Sequence, residues 1–464
     1  MSSLLSISAS LPFLSVVGGV KQVLWNTLVG YARSSIQQAL ADGIKSGQLA
    51  IREGDVVTKY GYPSNKDTVR DAEIEVADPN FWVRVYLTHD LGFAEAYMHG
   101  DFKTPNLKDI LDLWLENRDT LKGLSSMASQ VHTAFSALAL KYFGQNLSNA
   151  KFNAMTGYDC CNRFFQSFLS EEMTYSCAIW PDALGGVRGD LEGRRSPDDL
   201  ERAQLHKIHY LLDKARVRPG DRLLEFGSGW GSMAIEAAKL GYTVDTLTLS
   251  VQQKNLAEKC IAALGFEDKI RVHLMDYRQL PSDFEGQFDA FVSVEMVEAV
   301  GIRYLPRFFE ILNWALKPGR AAAVISATTQ PEFRYSEYQS TDYARRYQWP
   351  NSFCPSATSF VTTAQAATEG RFALESVEDF GSVSVSSAFP RTLREWGRRL
   401  DENWNKETIE ALLHDQPQLA NERDLQAFKR KWEYMYLYAE VGYARAYTSM
   451  HYFTFVRPTS MHQQ

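Results

Sequence analysis

The chain has 464 residues, about three times the ~150 residues of an average domain, so two domains are expected. Its 45% apolar and 23% charged residues exclude a disordered or collagen-like chain, and a formal charge of −7 excludes the bulk basic field that nucleic acid requires. Five cysteines with no CxxC pair and no His/Cys cluster predict reduced thiols, no metal and a reducing, cytoplasmic compartment.

The apolar stretch from Leu11 to Gly30 is broken by Lys21, Gln22 and Asn26, short of the ~18 unbroken apolar residues of a membrane span. No Lys or Arg precedes Lys21, so a secretory signal is not expected. Residues 1–30 read as a frayed or surface-lying tail. Ile36, Leu40 and Ile44 recur every four residues and predict a helix over 31–52. Tail and helix occupy residues 1–50. Val56–Val57, Ile74–Val76 and Phe81–Tyr86 read as strands between Gly61, Pro63 and Pro79. Helical stretches at about 92–98 and 107–117 complete a small α+β domain over 51–148. Residues 124–150 are Ser-rich (Ser125, Ser126, Ser129, Ser136) and place a domain boundary near 145–150.

From about 200 the pattern alternates. Helix 199–214 is stopped by Pro219–Gly220, and strand Arg222–Phe226 leads into a glycine-rich turn. Helix 231–240, strand Thr243–Leu249, helix 251–263 and strands Ile270–Met275 and Phe288–Val294 follow. A helix near 303–316 and strand Ala321–Ala327 close the run. This predicts an α/β fold, a doubly wound Rossmann-like parallel sheet over 149–464 with a cap insert at about 330–360. Ligands in such sheets bind beyond the carboxyl ends of the strands.

The turn reads Glu225-Phe226-Gly227-Ser228-Gly229-Trp230-Gly231. Glycines there let backbone approach a ligand because no Cβ intervenes. A dinucleotide fold prefers GxGxxG, but the sixth position here is Ser232. The loop resembles that of class I methyltransferases, which bind S-adenosylmethionine, and Glu225 suits that ligand's positive charges. The second strand lacks the usual terminal acid that grips a ribose. Asp245 falls inside the strand, and Thr248, Ser250 and Gln253 offer neutral hydrogen bonds instead. Asp276 follows the third strand, with Tyr277 placed to cover an adenine ring.

Ordered blocks run along the chain: Met173-Thr174-Tyr175-Ser176-Cys177-Ala178, Leu224–Gly231, Thr248-Leu249-Ser250 with Gln253, Asp276-Tyr277-Arg278, Glu295-Met296-Val297-Glu298-Ala299-Val300-Gly301, Pro331-Glu332 with Arg334-Tyr335, and the end Phe455-Val456-Arg457-Pro458. Together they resemble the cyclopropane fatty acid synthase family. A weaker match covers 51–120, through Gly92–Tyr97 with Gly100-Asp101. The resemblance implies one-carbon transfer from S-adenosylmethionine to a cis double bond of a phospholipid acyl chain, through a carbocation that aromatic faces stabilise. It adds Tyr175 and Ser176 to the cofactor set and makes Glu298 and Cys177 the catalytic residues. It also implies a bicarbonate base held by a Cys, Glu, His and Tyr set. Here Ala299 follows Glu298, Ser326 stands at the end of the fifth strand and Phe389 precedes Pro390-Arg391-Thr392-Leu393. Phe cannot donate a hydrogen bond and Ser has a shorter reach than His, so bicarbonate is doubtful and a methyl-branched or methylene product competes with a cyclopropane.

Arg391, Arg394, Arg398 and Arg399 recur on one predicted helix, with a charge of +3 over 391–400, and are expected to face anionic lipid. In the cap insert, Tyr335, Tyr338, Tyr343, Tyr347, Trp349 and Phe353 are expected to divide between an acyl pocket and the core. The expected partners are thus an unsaturated phospholipid, an anionic membrane surface and, by analogy, a second copy of the chain; the expected location is cytoplasmic and membrane-peripheral. An N-methyltransferase for small amines and an idle lipid-binding protein are the competing readings.

Overall fold

The computed structural model describes residues 11–63, 71–121, 161–381 and 387–457. The Ser-rich stretch at 124–150, with the boundary expected near its end, lies outside them. The chain divides into two compact units, Met1–Ala150 with Glu422–Tyr434, and Lys151–Asn421 with Met435–Gln464. Among the described residues no helix is long and apolar enough to cross a membrane.

The first unit holds a four-stranded sheet in the order β2-β1-β3-β4. β1 (Gln48–Glu53) pairs antiparallel with β2 (Val56–Gly61) and parallel with β3 (Ala72–Val76), and β4 is Phe102–Lys103. The helices are α1 (Leu11–Gly43), α2 (Asn80–Thr88), α3 (Asp90–His99) and α4 (Leu107–Glu116). Two expectations are corrected. The tail is helical from Leu11, and that helix stops at Gly43 instead of running to 52. Asn117 explains the stop: its side-chain oxygen accepts from the Lys45 and Ser46 amides at 2.7 and 2.9 Å. The second correction is Phe81–Tyr86, which is helix and not strand. An apolar run this short fits either period. Here Asp78 accepts from the Asn80 amide at 2.8 Å, Pro79 has a helical φ of −57°, and Phe81, Trp82 and Val85 are buried on neighbouring turns.

The second unit is built on a seven-stranded sheet in the order β10-β11-β9-β8-β5-β6-β7. β5 (Arg222–Phe226), β6 (Thr243–Thr248), β7 (Ile270–Leu274), β8 (Ala290–Val294) and β9 (Ala322–Thr329) are parallel. β11 (Ser449–Val456) runs antiparallel to β9 and to the edge strand β10 (Ala373–Asp379). Every strand and helix expected between 199 and 327 is present. The central strands are near-continuous apolar runs because both faces are covered: Leu223, Leu224, Phe291, Val292, Val324 and Ile325 are fully buried. The helices are α5 (Asp199–Lys214), α6 (Ser232–Lys239), α7 (Val251–Ala263), α8 (Leu305–Ala315), α9 (Ala357–Ala367), α10 (Ala388–Glu402), α11 (Lys406–Asp415) and, from Met435 onward, α12 (Glu422–Ala444). On one sheet face, Phe226, Phe291, Phe308 of α8, Phe360 of α9 and Phe453 form one core. After β5 the chain winds outward through β6 and β7, then returns to β8 on the other side of β5. That reversal opens the crevice in which such folds bind ligands.

Helix α10 overturns the lipid-facing reading of its arginines. Arg391 is fully buried, lies 4.0 Å over the Trp180 ring and donates to Asp199 at 2.6 Å and to the Leu184 carbonyl at 2.8 Å. Arg394 grips Asp190 at 2.7 and 2.8 Å and reaches Glu440 at 3.2 Å. Arg398 donates to Asp190 and, at 2.5 Å, to Glu395, and Arg399 donates to the Pro197 carbonyl at 2.9 Å. The count of +3 omitted the acids that other segments bring to this helix.

Candidate active site

The glycine turn leaves β5 with Gly227 at φ 91°. A Cβ there would meet the Met296 side chain at 3.3 Å. The Gly227 and Ser228 amides both donate to the Leu247 carbonyl, at 3.0 and 2.9 Å, which curls the loop back over the sheet edge. Gly229, at φ 48°, has open space where its Cβ would be. Gly231, at φ 95°, lies 3.2 Å by its virtual Cβ from Ala257 and leads into α6.

Around this loop lies a cavity of about 1640 Å³. Its wall includes Tyr175, Ser176, Glu225, Gly227, Ser228, Gly229, Thr248, Ser250, Gln253, Asp276 and Tyr277, the whole expected cofactor set except Gly231. Glu225 is buried and accepts from the Thr246 hydroxyl at 2.6 Å; burial pushes its carboxyl up to about 7. Thr248 donates to Gln253 at 2.7 Å, and Ser250 caps α7 by accepting from the Gln253 amide at 3.3 Å. Asp276 is clasped by Arg278 at 2.9 and 2.5 Å, and those hydrogen bonds hold its carboxyl below the usual range. Tyr277 rests against Phe226, ring centroids 5.5 Å apart, and Tyr175 stacks on Trp396 at 5.1 Å. The Ser228 hydroxyl is buried with no hydrogen-bond partner. An orphaned hydroxyl on an open glycine loop, flanked by two carboxylates, fits a ligand that carries both hydrogen-bonding groups and positive charge.

Two residues given no role in the sequence reading stand on the same wall, Lys207 of α5 and Glu295 just beyond β8. Glu295 has φ 49°, a left-handed backbone that is rare outside glycine. Its amide donates to the Ser326 carbonyl at 3.1 Å and hydroxyl at 3.2 Å. Its carboxylate accepts from the Cys177 amide at 2.7 Å. Lys207, almost wholly buried, donates to the Ser176 hydroxyl. Burial pushes the Glu295 carboxyl well above its ordinary value and the Lys207 amine below its own, while the charge of each opposes the shift of the other.

The expected catalytic pair sits behind this wall. Glu298 and Cys177 do not line the cavity. One Glu298 oxygen accepts from the Thr328 amide at 2.5 Å and the other is buried without a partner; burial pushes its carboxyl up to about 7. Burial also holds the Cys177 thiol protonated, far above its ordinary value. Phe389 packs on the Tyr443 ring at 4.5 Å, and the Tyr443 hydroxyl is 2.7 Å from that of Thr328. In the cap insert, Tyr338 and Phe353 line the cavity whereas Tyr343 and Tyr347 are core residues. One signal pointed to Glu295: two carboxylates three residues apart, directly after a strand that ends at the ligand-binding edge.

Known proteins match this architecture. A family model described as mycolic acid cyclopropane synthetase covers residues 145–437. Tuberculostearic acid methyltransferase UfaA1 of Mycobacterium tuberculosis is 32% identical over 368 residues, 79% of this chain and 79% of that protein. The cyclopropane-fatty-acyl-phospholipid synthase of Escherichia coli is 28% identical over 386 residues, 81% of this chain and 85% of that one. Among solved structures, the cyclopropane synthase MmaA2 from Mycobacterium tuberculosis superposes on 67% of this chain and 98% of its own, with a TM-score of 0.51 at 22% identity, and so shares the fold. With a family match over more than half its length and a relative at 32% identity across most of it, the chain belongs to the mycolic acid cyclopropane synthetase family and is an S-adenosylmethionine-dependent methyltransferase.

Proposed function

We propose that the chain methylates the double bond of an unsaturated acyl chain on a phospholipid and converts it to a methylene-bearing chain, with Glu295 as the proton acceptor. The observation that carries this reading is the Glu295 carboxylate on the cavity wall, anchored by the Cys177 amide. Two relatives are named for fatty-acyl products, which supports an acyl acceptor. The glycine loop, Ser228 and Gln253, with Glu225 and Asp276 for positive charge and Tyr175 and Tyr277 for ring contacts, would hold the cofactor. When bound, S-adenosylmethionine supplies an electrophilic methyl group.

The chain's own residues do the rest. An alkene that accepts a methyl cation leaves a carbocation on the neighbouring carbon. Tyr175 and Phe353 on the wall offer aromatic surface to that charge. A 1,2-hydride shift moves the charge to the branched carbon. Loss of a proton from the added methyl to Glu295 then leaves a methylene (C=CH2) branch on the chain, and atoms and charge balance without a reductant. A bound bicarbonate fits these residues poorly. Glu295 already occupies the Cys177 amide, its own amide takes the Ser326 hydroxyl oxygen, and Phe389 has no hydroxyl.

The test is expression in a host rich in monounsaturated phospholipid, with a labelled methyl donor and proton NMR of the extracted lipid. Labelled acyl chains with vinylidene protons are expected. Cyclopropyl signals would overturn the product assignment, and label appearing only on small amines would overturn the acyl acceptor.

A further inference from the structure

With the arginines of α10 engaged by acids from other segments, the molecule needs another way to meet a lipid, and the cavity mouth offers one. Leu249 and Val251 follow β6, Ile302 and Tyr304 follow β8, and Tyr338 follows β9. All five lie in the segments that leave the carboxyl ends of parallel strands, with Val251 opening α7, so they gather at one edge of the sheet. All five border the cavity, and all are exposed, Leu249 by 73% and Tyr338 by 83%. Large apolar side chains gathered around an opening mark an interaction surface.

Charge narrows the occupant. Arg303 and Arg346 border the same opening and are exposed. Neither has a carboxylate within salt-bridge reach among the described residues, whereas Arg278 and Arg345 on the same wall are paired with Asp276 and Asp342. Glu337 is an exposed acid beside them. Two open guanidinium groups among exposed leucine, isoleucine and tyrosine match lipid phosphates lying over acyl chains. An acidic carrier protein would satisfy the arginines but leave the apolar side chains in water.

We infer that this carboxyl edge, with Leu249, Val251, Ile302, Tyr304 and Tyr338 flanked by Arg303 and Arg346, docks the enzyme on an anionic bilayer and opens the cavity directly onto its acyl chains. The inference rests on the acyl-acceptor reading above.

Flotation of the full chain with vesicles tests it. Binding to phosphatidylglycerol/phosphatidylcholine vesicles is expected to exceed binding to pure phosphatidylcholine. Arg303→Ala with Arg346→Ala should weaken the anionic-vesicle affinity about thirtyfold, at roughly 1 kcal/mol per arginine, and leave the neutral-vesicle affinity alone. Ile302→Ser with Tyr338→Ser should weaken both. Arg216→Ala with Arg218→Ala, in the loop before β5 at the opposite edge, should change neither. Melting curves confirm that each variant is folded. Failure of the unaltered chain to float, arginine variants that float like it, or rim-dependent capture of an acidic acyl carrier protein in place of vesicles would overturn the docking surface. Methyl transfer to detergent-dispersed phospholipid, measured in parallel, separates the outcomes: transfer without flotation defeats the surface alone, and flotation without transfer defeats the proposed reaction.

Discussion

Two of the places where the second unit buries ionisable groups treat them differently. Along α10, Asp190 has no exposed side-chain surface and is held by Arg394 and Arg398, with Arg391 3.9 Å away. Burial works against its charge, yet those arginines pull its carboxyl below the ordinary value. At the cavity, Glu225 has one hydroxyl and Glu295 one amide on its carboxylate, and burial wins: both carboxyls are pushed up, as is Glu298 behind them. Each buried carboxylate along α10 is matched by a cation, which holds its charge in place. The cavity acids are short of partners, which costs stability and leaves them able to exchange protons or meet a ligand's charge. Carboxylates matched by cations brace the fold here, and unmatched ones are the candidates for chemistry.

The sharpest way to break this contrast is to remove the cavity acid proposed as the base. Glu295→Gln should lower methyl transfer by about 10²–10⁴-fold, the usual contribution of a positioned base. Affinity for S-adenosylmethionine, followed by calorimetry, should move little. Because burial raises the Glu295 carboxyl, the ionised base is scarce in mildly acid solution, and turnover should climb as pH rises from 6 towards 8. That climb should vanish in the variant. A larger loss in Glu298→Gln than in Glu295→Gln would move the base to the residue behind the wall.

Breaking the saturated cluster should act on stability alone. Asp190→Ala leaves Arg394 and Arg398 without their shared acceptor, and breaking a buried pair from one side costs about 3–5 kcal/mol. Denaturant unfolding should show that loss while residual activity per folded molecule is retained. Selective loss of turnover would join α10 to the active site.

These two clusters also show what was legible in the residue order. The glycine turn, Thr248, Gln253 and Asp276 were legible because strand ends and helix starts are local patterns, and the parallel sheet brings all strand ends to one edge. The arginines of α10 misled because their partners come from afar: Asp190 and Asp199 precede them by about two hundred residues and Glu440 follows them. Glu295 escaped because its value lies in a left-handed backbone turn and in the Cys177 amide 118 residues earlier, neither of which periodicity reports. Phe81–Tyr86 misled for the opposite reason, since a short apolar run satisfies both the strand and the helix period.

A smaller effect tests Glu225. Its carboxyl titrates at about 7 in the folded chain, above its ordinary value, so its contribution to stability is complete below the ordinary value and is lost as pH rises through 7. Glu298 acts in the same direction. The ligand-free chain should therefore melt at a lower temperature at pH 8 than at pH 5. A cationic ligand reverses the preference, because positive charge beside Glu225 favours the carboxylate. Binding of S-adenosylmethionine near pH 6.5 should release a proton, visible as a dependence of the calorimetric heat on the buffer's ionisation enthalpy. Glu225→Gln should abolish most of that release and weaken binding about tenfold, close to the 1.5–3 kcal/mol of a charge-assisted contact.

The smallest effect expected is none. If Glu295 is the base, depletion of dissolved carbonate from the assay should leave turnover within about twofold, and Phe389→Tyr should not create a carbonate requirement. The ring of Phe389 lies against Tyr443 and Trp396 and does not border the cavity, so a hydroxyl added there meets packing and not a reacting atom. A pronounced carbonate dependence in the unaltered enzyme would mean that a small anion shares the wall with Glu295. Two like charges on one buried wall raise each other's pKa, so the pH climb of turnover would then shift upward with carbonate concentration. The two arrangements therefore differ in a quantity that one titration series can read.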